Sequence, residues 1–418
     1  NTDLYFSVVS FSLLVPAFFG NTLPQKTNLL LLLFGCALMT LFFFRQNDFD
    51  LFNIGIGFGW LVFSTAVVLG RLASYEPITF RQFAFPIVVF VTGMASCSTV
   101  WVKPALKCAI TLLCIHLAAT LMFYAIPDLY TNTIKKYLLA NTISAVGYQS
   151  GLTPHYSING YIMATGFLLT GCVVLSGKAK KNGFWVFLWA LFLFGLVLTE
   201  KRGHLICSVL AFTCVFMVSN LRRKILKFTG LLIVTLLYSL VTVTYVPGIS
   251  ASFERLMSTF ESDDFTEITS GRTYLWDAAI EGWKNRPILG NGWDSFVYNW
   301  PGSRSFHAHN ELLQVLHDVG LLGLVVFLLL AASTFAITVD NVRILRVQEH
   351  IFSPLLMIAT YFSFSFQAFS FIYAFTSGSM LYESYIYISF FFSVAISLSL
   401  RNHLRQTTMS DSTKLNDD

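Results

Sequence analysis

Apolar runs long enough to cross a bilayer recur along almost the whole of this chain, and that recurrence decides its fold before any other feature is weighed. A hydrocarbon core ~30 Å thick is spanned by roughly 20 apolar residues in a helix. Such runs occupy residues 4–20, 28–44, 51–70, 83–101, 105–126, 158–176, 183–198, 205–219, 225–246, 312–339, 353–375 and 380–400, about twelve in all. In hydrocarbon every backbone N–H and C=O must be satisfied internally, so these runs are expected to be helices. Composition closes the alternative, with 55% of residues hydrophobic and 12% charged, against about 25% charged in a soluble domain.

Orientation follows from where the cations collect. Arg45, Lys103, Lys107, Lys178, Lys180, Lys181, Arg222, Arg223, Lys224, Lys227, Arg343, Arg346, Arg401 and Arg405 fall on one side, which is expected to be cytoplasmic with both termini. The short loops opposite hold Lys26, Arg71, Arg81, Lys135, Lys136, Lys201 and Arg202. The long segment 247–309 then faces the extracytoplasmic compartment, as does the loop 127–156. The first run lacks a basic segment before it and a small-residue cleavage site after it, so it reads as a span rather than a signal peptide. All seven cysteines lie in apolar runs without CxxC spacing and read as packing residues, not as disulfides or metal ligands. The polar stretch 407–418 is expected to be a disordered cytoplasmic tail.

The segment 247–309 carries the richest polar chemistry. Its acidic opening holds Glu261, Asp263, Asp264 and Glu267, followed by an amphipathic stretch over 270–286. At helical spacing Trp276, Ile280 and Trp283 share one face, suited to the headgroup level, and Ser270 is a candidate N-cap. Pro287 to Trp293 then turns the chain back. Phe306 onward, with His307 and His309, runs directly into the next span and places both imidazoles at the membrane boundary. Three readings stand side by side there: plain boundary residues, a metal site completed by Glu261 and Asp263, or a general base. A second constellation, Thr199-Glu200-Lys201-Arg202-Gly203, sits between two runs on the same side. It reads either as a solvated turn or as a grip on a lipid-linked phosphate, which a guanidinium binds bidentately.

These strings resemble a known family. Thr-Glu-Lys-Arg-Gly at 199–203, Ser-Gly-Arg-x-x-x-Trp at 270–276, Pro-Ile-Leu-Gly-Asn-Gly at 287–292 and His-x-His-Asn-Glu-x-x-Gln-x-x-x-x-x-Gly-x-x-Gly at 307–323 are similar, in order, to motifs of the O-antigen ligase and polymerase superfamily with its Wzy-C/WaaL domain. The resemblance covers roughly 183–339. It implies an all-α integral membrane protein, about 12 transmembrane helices with one long periplasmic loop containing an amphipathic helix, in a GT-C-like layout. The organisation expected is N-terminal helices over 1–182, a ligase or polymerase core over 183–339 including the loop 247–309, C-terminal helices over 340–400 and a tail over 401–418.

The activity implied is metal-independent, inverting transfer of a glycan from undecaprenyl diphosphate to a sugar hydroxyl, at the periplasmic face of a bacterial inner membrane and without a cofactor. By the same resemblance Arg202 and Arg272 bind the diphosphate and stabilise its leaving charge, and His309 takes the acceptor's proton. Lys201, His307 and Trp276 lie alongside in substrate binding. The partners are the lipid-linked donor, a lipid A-core or growing-glycan acceptor and membrane lipids, with no nucleic acid. The stretch between Arg272 and His309 is compact, which suits a repeat-unit polymerase as well as a ligase. A transporter is the competing class, but its charges belong near the bilayer midplane. Here the spans hold little beyond His116 and Glu383. A scaffold of an export complex has no positive sign in the sequence.

Overall fold

The computed structural model describes residues 2–20, 22–43, 51–73, 78–132, 148–177, 182–219, 271–299, 305–347, 352–377 and 380–416. In chain order the helices are α1 (Thr2–Phe19), α2 (Gln25–Phe43), α3 (Leu51–Ala73), α4 (Phe80–Ala95), α5 (Val102–Ala125), α6 (Pro127–Asn132), α7 (Tyr156–Ser176), α8 (Asn182–Leu198), α9 (Arg202–Val218), α10 (Arg272–Lys284), α11 (Glu311–Val347), α12 (Pro354–Ala374) and α13 (Ser384–Asn416). Two short strands, β1 (Tyr298–Asn299) and β2 (Ser305–Phe306), pair antiparallel between α10 and α11. Among the described residues eight helices are long and apolar enough to cross a membrane, and three shorter apolar ones accompany them. Each run read from the sequence has its helix here except 225–246, which lies outside the described residues together with Glu261, Asp263, Asp264, Glu267 and Ser270. The chain is an all-α integral membrane protein.

Contacts divide the chain into two compact units, one of Asn1–Leu112 with Arg272–Asp418 and one of Leu113–Gly271. The first unit is organised around Trp60 on α3. Its indole is 1% exposed, is ringed by Phe63, Phe327, Phe390 and Phe391, and donates to Thr334 Oγ1 at 3.0 Å. That single side chain ties α3 to α11 and α13 by packing and by one satisfied donor. A buried polar seam adds specificity. Thr338 Oγ1 donates to Gln367 Oε1 at 2.9 Å and lies 2.7 Å from Ser397 Oγ, while Asn341 Nδ2 donates to the Ser397 carbonyl at 2.8 Å. Where lipid tails are as apolar as the helices, such bonds supply part of the association.

The second unit is centred on α7, which is buried almost all round. Two glycines permit the approach of its neighbours. A Cβ at Gly166 would stand 2.2 Å from the Phe192 ring of α8, and one at Gly171 would stand 2.5 Å from the Phe212 ring of α9. Near its start Asn159 donates to Thr120 Oγ1 at 3.0 Å and to the Gln149 carbonyl at 2.9 Å.

Three boundaries differ from the sequence reading. The run 83–101 is helical only to Ala95; Ser96 Oγ donates to the Gly93 carbonyl at 2.7 Å, and Trp101 folds back to the Ala95 carbonyl at 2.8 Å. A hydroxyl that competes for backbone groups ends the helix there. The tail over 407–418 is not irregular throughout, since α13 continues to Asn416. No Gly or Pro follows Leu400 to stop it. Glu383 is not inside a span but precedes α13, where its carbonyl accepts from Ile386 and Tyr387.

Candidate functional site

The first unit gathers most of the residues singled out from the sequence. After α10 the chain turns at 285–292, runs through 293–299 and returns along 305–310 into α11. The face α10 buries is Leu275 and Ala279, the latter against Phe296 and Ala308. The face of Trp276, Ile280 and Trp283 is half-buried. The small side chain of Ala279 lets the returning arm press close, so it is the packed face, while Trp283 reaches the Pro287 carbonyl at 2.9 Å.

The arm is held by two fully buried polar residues of α11. Gln314 Oε1 accepts the Ala308 N–H at 2.9 Å, and Gln314 Nε2 donates to Asp318 Oδ2 at 3.1 Å. Asp318 accepts from Asp294 N at 2.8 Å, from Ser295 Oγ at 3.1 Å and from Phe296 N at 3.1 Å. Its Oδ1 also lies 2.9 Å from His317 Nδ1. Asn310 Oδ1 caps the helix by accepting from Leu312 N at 3.0 Å and Leu313 N at 3.2 Å, as an Asn in that place should. Glu311 accepts from Met380 N at 2.7 Å and Leu381 N at 2.9 Å.

The two histidines, unranked by spacing, are thereby distinguished. They flank Ala308, which is 0% exposed. His307 Nδ1 lies 3.8 Å from Asp294 Oδ1, with the Tyr382 ring 6.2 Å from its own. His309 has φ +48°, a left-handed conformation that a non-glycine residue holds at a cost of about 1–3 kcal/mol and that concentrates at functional sites.

The motif string does not run unbroken into its span. Gly320 has φ 70° and ψ −174°, so α11 is two helical pieces, 311–319 and 321–347. The joint is made by the turn at 287–292. Leu321 N donates to the Pro287 carbonyl at 2.9 Å, and Gly292 N to the Asp318 carbonyl at 2.9 Å. Gly290, at φ 72°, and Gly320 need each other: a Cβ on the first would stand 2.4 Å from the Asp318 carbonyl oxygen, and one on the second 2.3 Å from that of Ile288.

A polar cluster beside the arm was not read from the sequence. Arg71, in the last turn of α3, donates to the Trp293 carbonyl at 2.6 Å. Gln82 Nε2 donates to Asp294 Oδ2 at 3.2 Å, and Arg81 pairs with Glu383 at 2.9 Å. Burial pushes the Asp294 carboxyl up; His307, Arg71 and Arg81 pull it back, and Asp318 adds to the rise. Burial likewise raises Glu383 against the pull of Arg81. Tyr382 is driven far up by burial and by the Asp318 and Glu311 carboxylates. Below this cluster, α3, 321–330 of α11 and 286–293 enclose a largely apolar groove of about 750 Å³, lined by Val62, Ala66, Leu322 and Val326 with Arg286 at its polar end.

The arginines are placed alike. Arg202 is the first residue of α9 and Arg272 the first residue of α10, and neither helix has an acid in its first turn. Arg202 and Lys201 belong to the second unit, Arg272, Trp276, His307 and His309 to the first. Lys201 Nζ stands 4.4 Å over the Tyr156 ring, a cation–π arrangement. Among the described residues no group of three His, Cys, Asp or Glu is arranged to hold a metal ion.

Residues 186–328 match a family described as O-antigen ligase. A protein of Rickettsia prowazekii (strain Madrid E), named for a proposed polysaccharide ligase activity, is 24% identical over 180 residues, 36% of this chain. That alignment spans 44% of the relative's own length.

Proposed function

We propose, for a chain that carries an O-antigen ligase domain at residues 186–328, that it moves a glycan from undecaprenyl diphosphate to a sugar hydroxyl. The observation that carries this reading is the match over 186–328, within which Arg202 and Arg272 each open a helix. The first turn of a helix presents unpaired N–H groups and partial positive charge. A helix N-terminus favours an anion and a guanidinium binds phosphate oxygens bidentately, so each arginine suits a diphosphate.

The reaction then divides among this chain's own groups. The acceptor hydroxyl oxygen attacks the anomeric carbon opposite the diphosphate while His309 accepts its proton. The bond from the anomeric carbon to the diphosphate breaks, and its electron pair leaves with the carrier, whose charge Arg272 and Arg202 stabilise. In-line displacement inverts the anomeric centre, and no metal or cofactor takes part. Arg202 enters through its motif and its helix position. Lys201, Trp276 and His307 assist at the glycan and diphosphate. The groove of about 750 Å³ beside 286–293 suits a donor that arrives through the bilayer, and the working face is the periplasmic side of a bacterial inner membrane.

The acceptor favoured is a lipid A-core sugar, in line with the ligase name of the Rickettsia relative. The test is transfer by purified protein in vesicles from a defined undecaprenyl-diphosphate glycan, with lipid A-core and a second carrier-linked repeat offered together. Extension of the repeat instead of transfer to the core would replace the ligase reading with the polymerase one. Arg202→Ala, Arg272→Ala and His309→Ala should each abolish transfer with membrane insertion intact, and exhaustive EDTA should leave the native protein active.

A further inference from the structure

We infer that Gln314 and Asp318 are positioning residues for His309, holding the main chain that carries it in its left-handed conformation; this rests on the reading of His309 as the base. The geometry is a relay of bonds. Gln314 grips the residue before His309 through the Ala308 N–H at 2.9 Å. The residue after His309, Asn310, caps the helix that carries Gln314. The conformation at φ +48° is therefore fixed from both sides. Asp318 in turn orients the Gln314 amide at 3.1 Å and anchors the partner stretch through Asp294 N and Phe296 N. Gln314 Nε2 also reaches the Phe296 carbonyl at 3.4 Å. Both side chains are 0% exposed, so no water stands ready to replace either partner. Neither touches the reacting atoms; each acts through the backbone. The titratable groups around the pair are Glu311 and His317 on the same helix, Asp294 on the stretch it anchors, and Tyr382 ahead of α13.

The amide is what lets Gln314 accept from Ala308 and donate to Asp318 at once. Gln314→Leu removes both bonds, and a misplacement of about 1 Å at a reacting group can cost roughly 100-fold in rate. Gln314→Glu supplies a sharper test. With its carboxyl protonated it repeats both bonds, whereas ionised it faces the Asp318 carboxylate, and two such groups share a proton up to a raised pKa.

The experiment measures transfer kinetics, pH profiles and hydrogen exchange at the Ala308 amide in the full-length protein, in vesicles, with His309→Ala as the reference. Expected is a fall in kcat for Gln314→Leu of roughly 10- to 100-fold with KM for the donor little changed and with faster Ala308 exchange. Gln314→Glu should be active at low pH and lose kcat on an alkaline limb that the native protein lacks. Native kcat in Gln314→Leu, or a Gln314→Glu profile without that limb, would overturn the positioning role while leaving the base reading intact. A fully active His309→Ala removes the base reading itself, and the positioning role with it. If Gln314→Leu does not fold, the Gln314→Glu profile decides alone.

Discussion

The two halves of α11 answer to different solvents although only Gly320 separates them. Before it, over 311–319, Glu311, Gln314 and Asp318 are each 0% exposed and each carries several bonds. After it, Leu321, Leu322, Val325, Leu328 and Leu329 are between 43% and 63% exposed. In water this arrangement would be inverted. Beside a bilayer it is consistent, because exposed leucine meets lipid and a buried carboxylate survives only when bonded donors replace its hydration. The polar groups before Gly320 are buried and bonded, whereas the apolar side chains after it are left to lipid.

The joint between the halves should be the most fragile point. Gly320→Ala forces a Cβ to 2.3 Å from the Ile288 carbonyl oxygen at φ 70°, and the backbone of 287–292 cannot yield without losing its bonds to 318–322. We expect a loss of more than about 4 kcal/mol, in the range reserved for strained and overpacked sites. Thermal unfolding in detergent checks it, and a native-like Tm would mean that the turn is free to shift. Next comes Asp318→Ala, which takes the acceptor from Asp294 N, Ser295 Oγ, Phe296 N and Gln314 Nε2 together and leaves the buried Phe296 N–H unsatisfied. A cost of about 3 kcal/mol is expected from these bonds lost together, read in the same assay. On the lipid side, Leu329 is 63% exposed, so Leu329→Ala should change stability by less than about 0.5 kcal/mol. Leu329→Arg should instead cost about 2.5 kcal/mol of insertion, measured with a membrane-insertion reporter. Equal tolerance of Ala and Arg would show that the exposed leucines do not face hydrocarbon.

The lipid side of this comparison was legible in the sequence, and the polar side was not, for a physical reason. A span must be apolar over its full length whatever it packs against, so the runs around Leu51–Ala73 and Pro354–Ala374 declare themselves. Glu311, Gln314 and Asp318 share one helical face, but the same spacing describes a solvated helix, and nothing local shows that the face is buried. The Gly290–Gly320 contact joins residues far apart, each an ordinary turn glycine when read alone. Arg71, Gln82 and Asp294 meet only because α3 and α4 bring distant segments to the chain at 293–294. His307 and His309 could not be ranked by spacing, and what separates them in the structure is that His307 Nδ1 lies 3.8 Å from Asp294 Oδ1 while His309 holds φ +48°. The arginines were found as candidates, but their common position at the head of a helix emerged only with the helix starts.

Asp294 tests the comparison most gently, because it sits between the buried network and the wet cluster. Its N–H belongs to the first through Asp318, its carboxylate to the second through Gln82 and His307. Burial raises its pKa against the opposing pull of His307, Arg71 and Arg81. A carboxyl raised in the folded state binds its proton more tightly there than in the unfolded chain. Its contribution to stability is therefore present below the ordinary carboxylate range and is lost as pH rises through the raised value. Asp294→Asn has no proton to lose, so its Tm should stay level across that window while the native protein's declines by about 2 °C or less. Parallel curves for the two proteins would mean that the cations of the cluster, not the buried surroundings, govern this carboxylate. The boundary between the two environments would then lie on the inner side of Asp294, at its backbone.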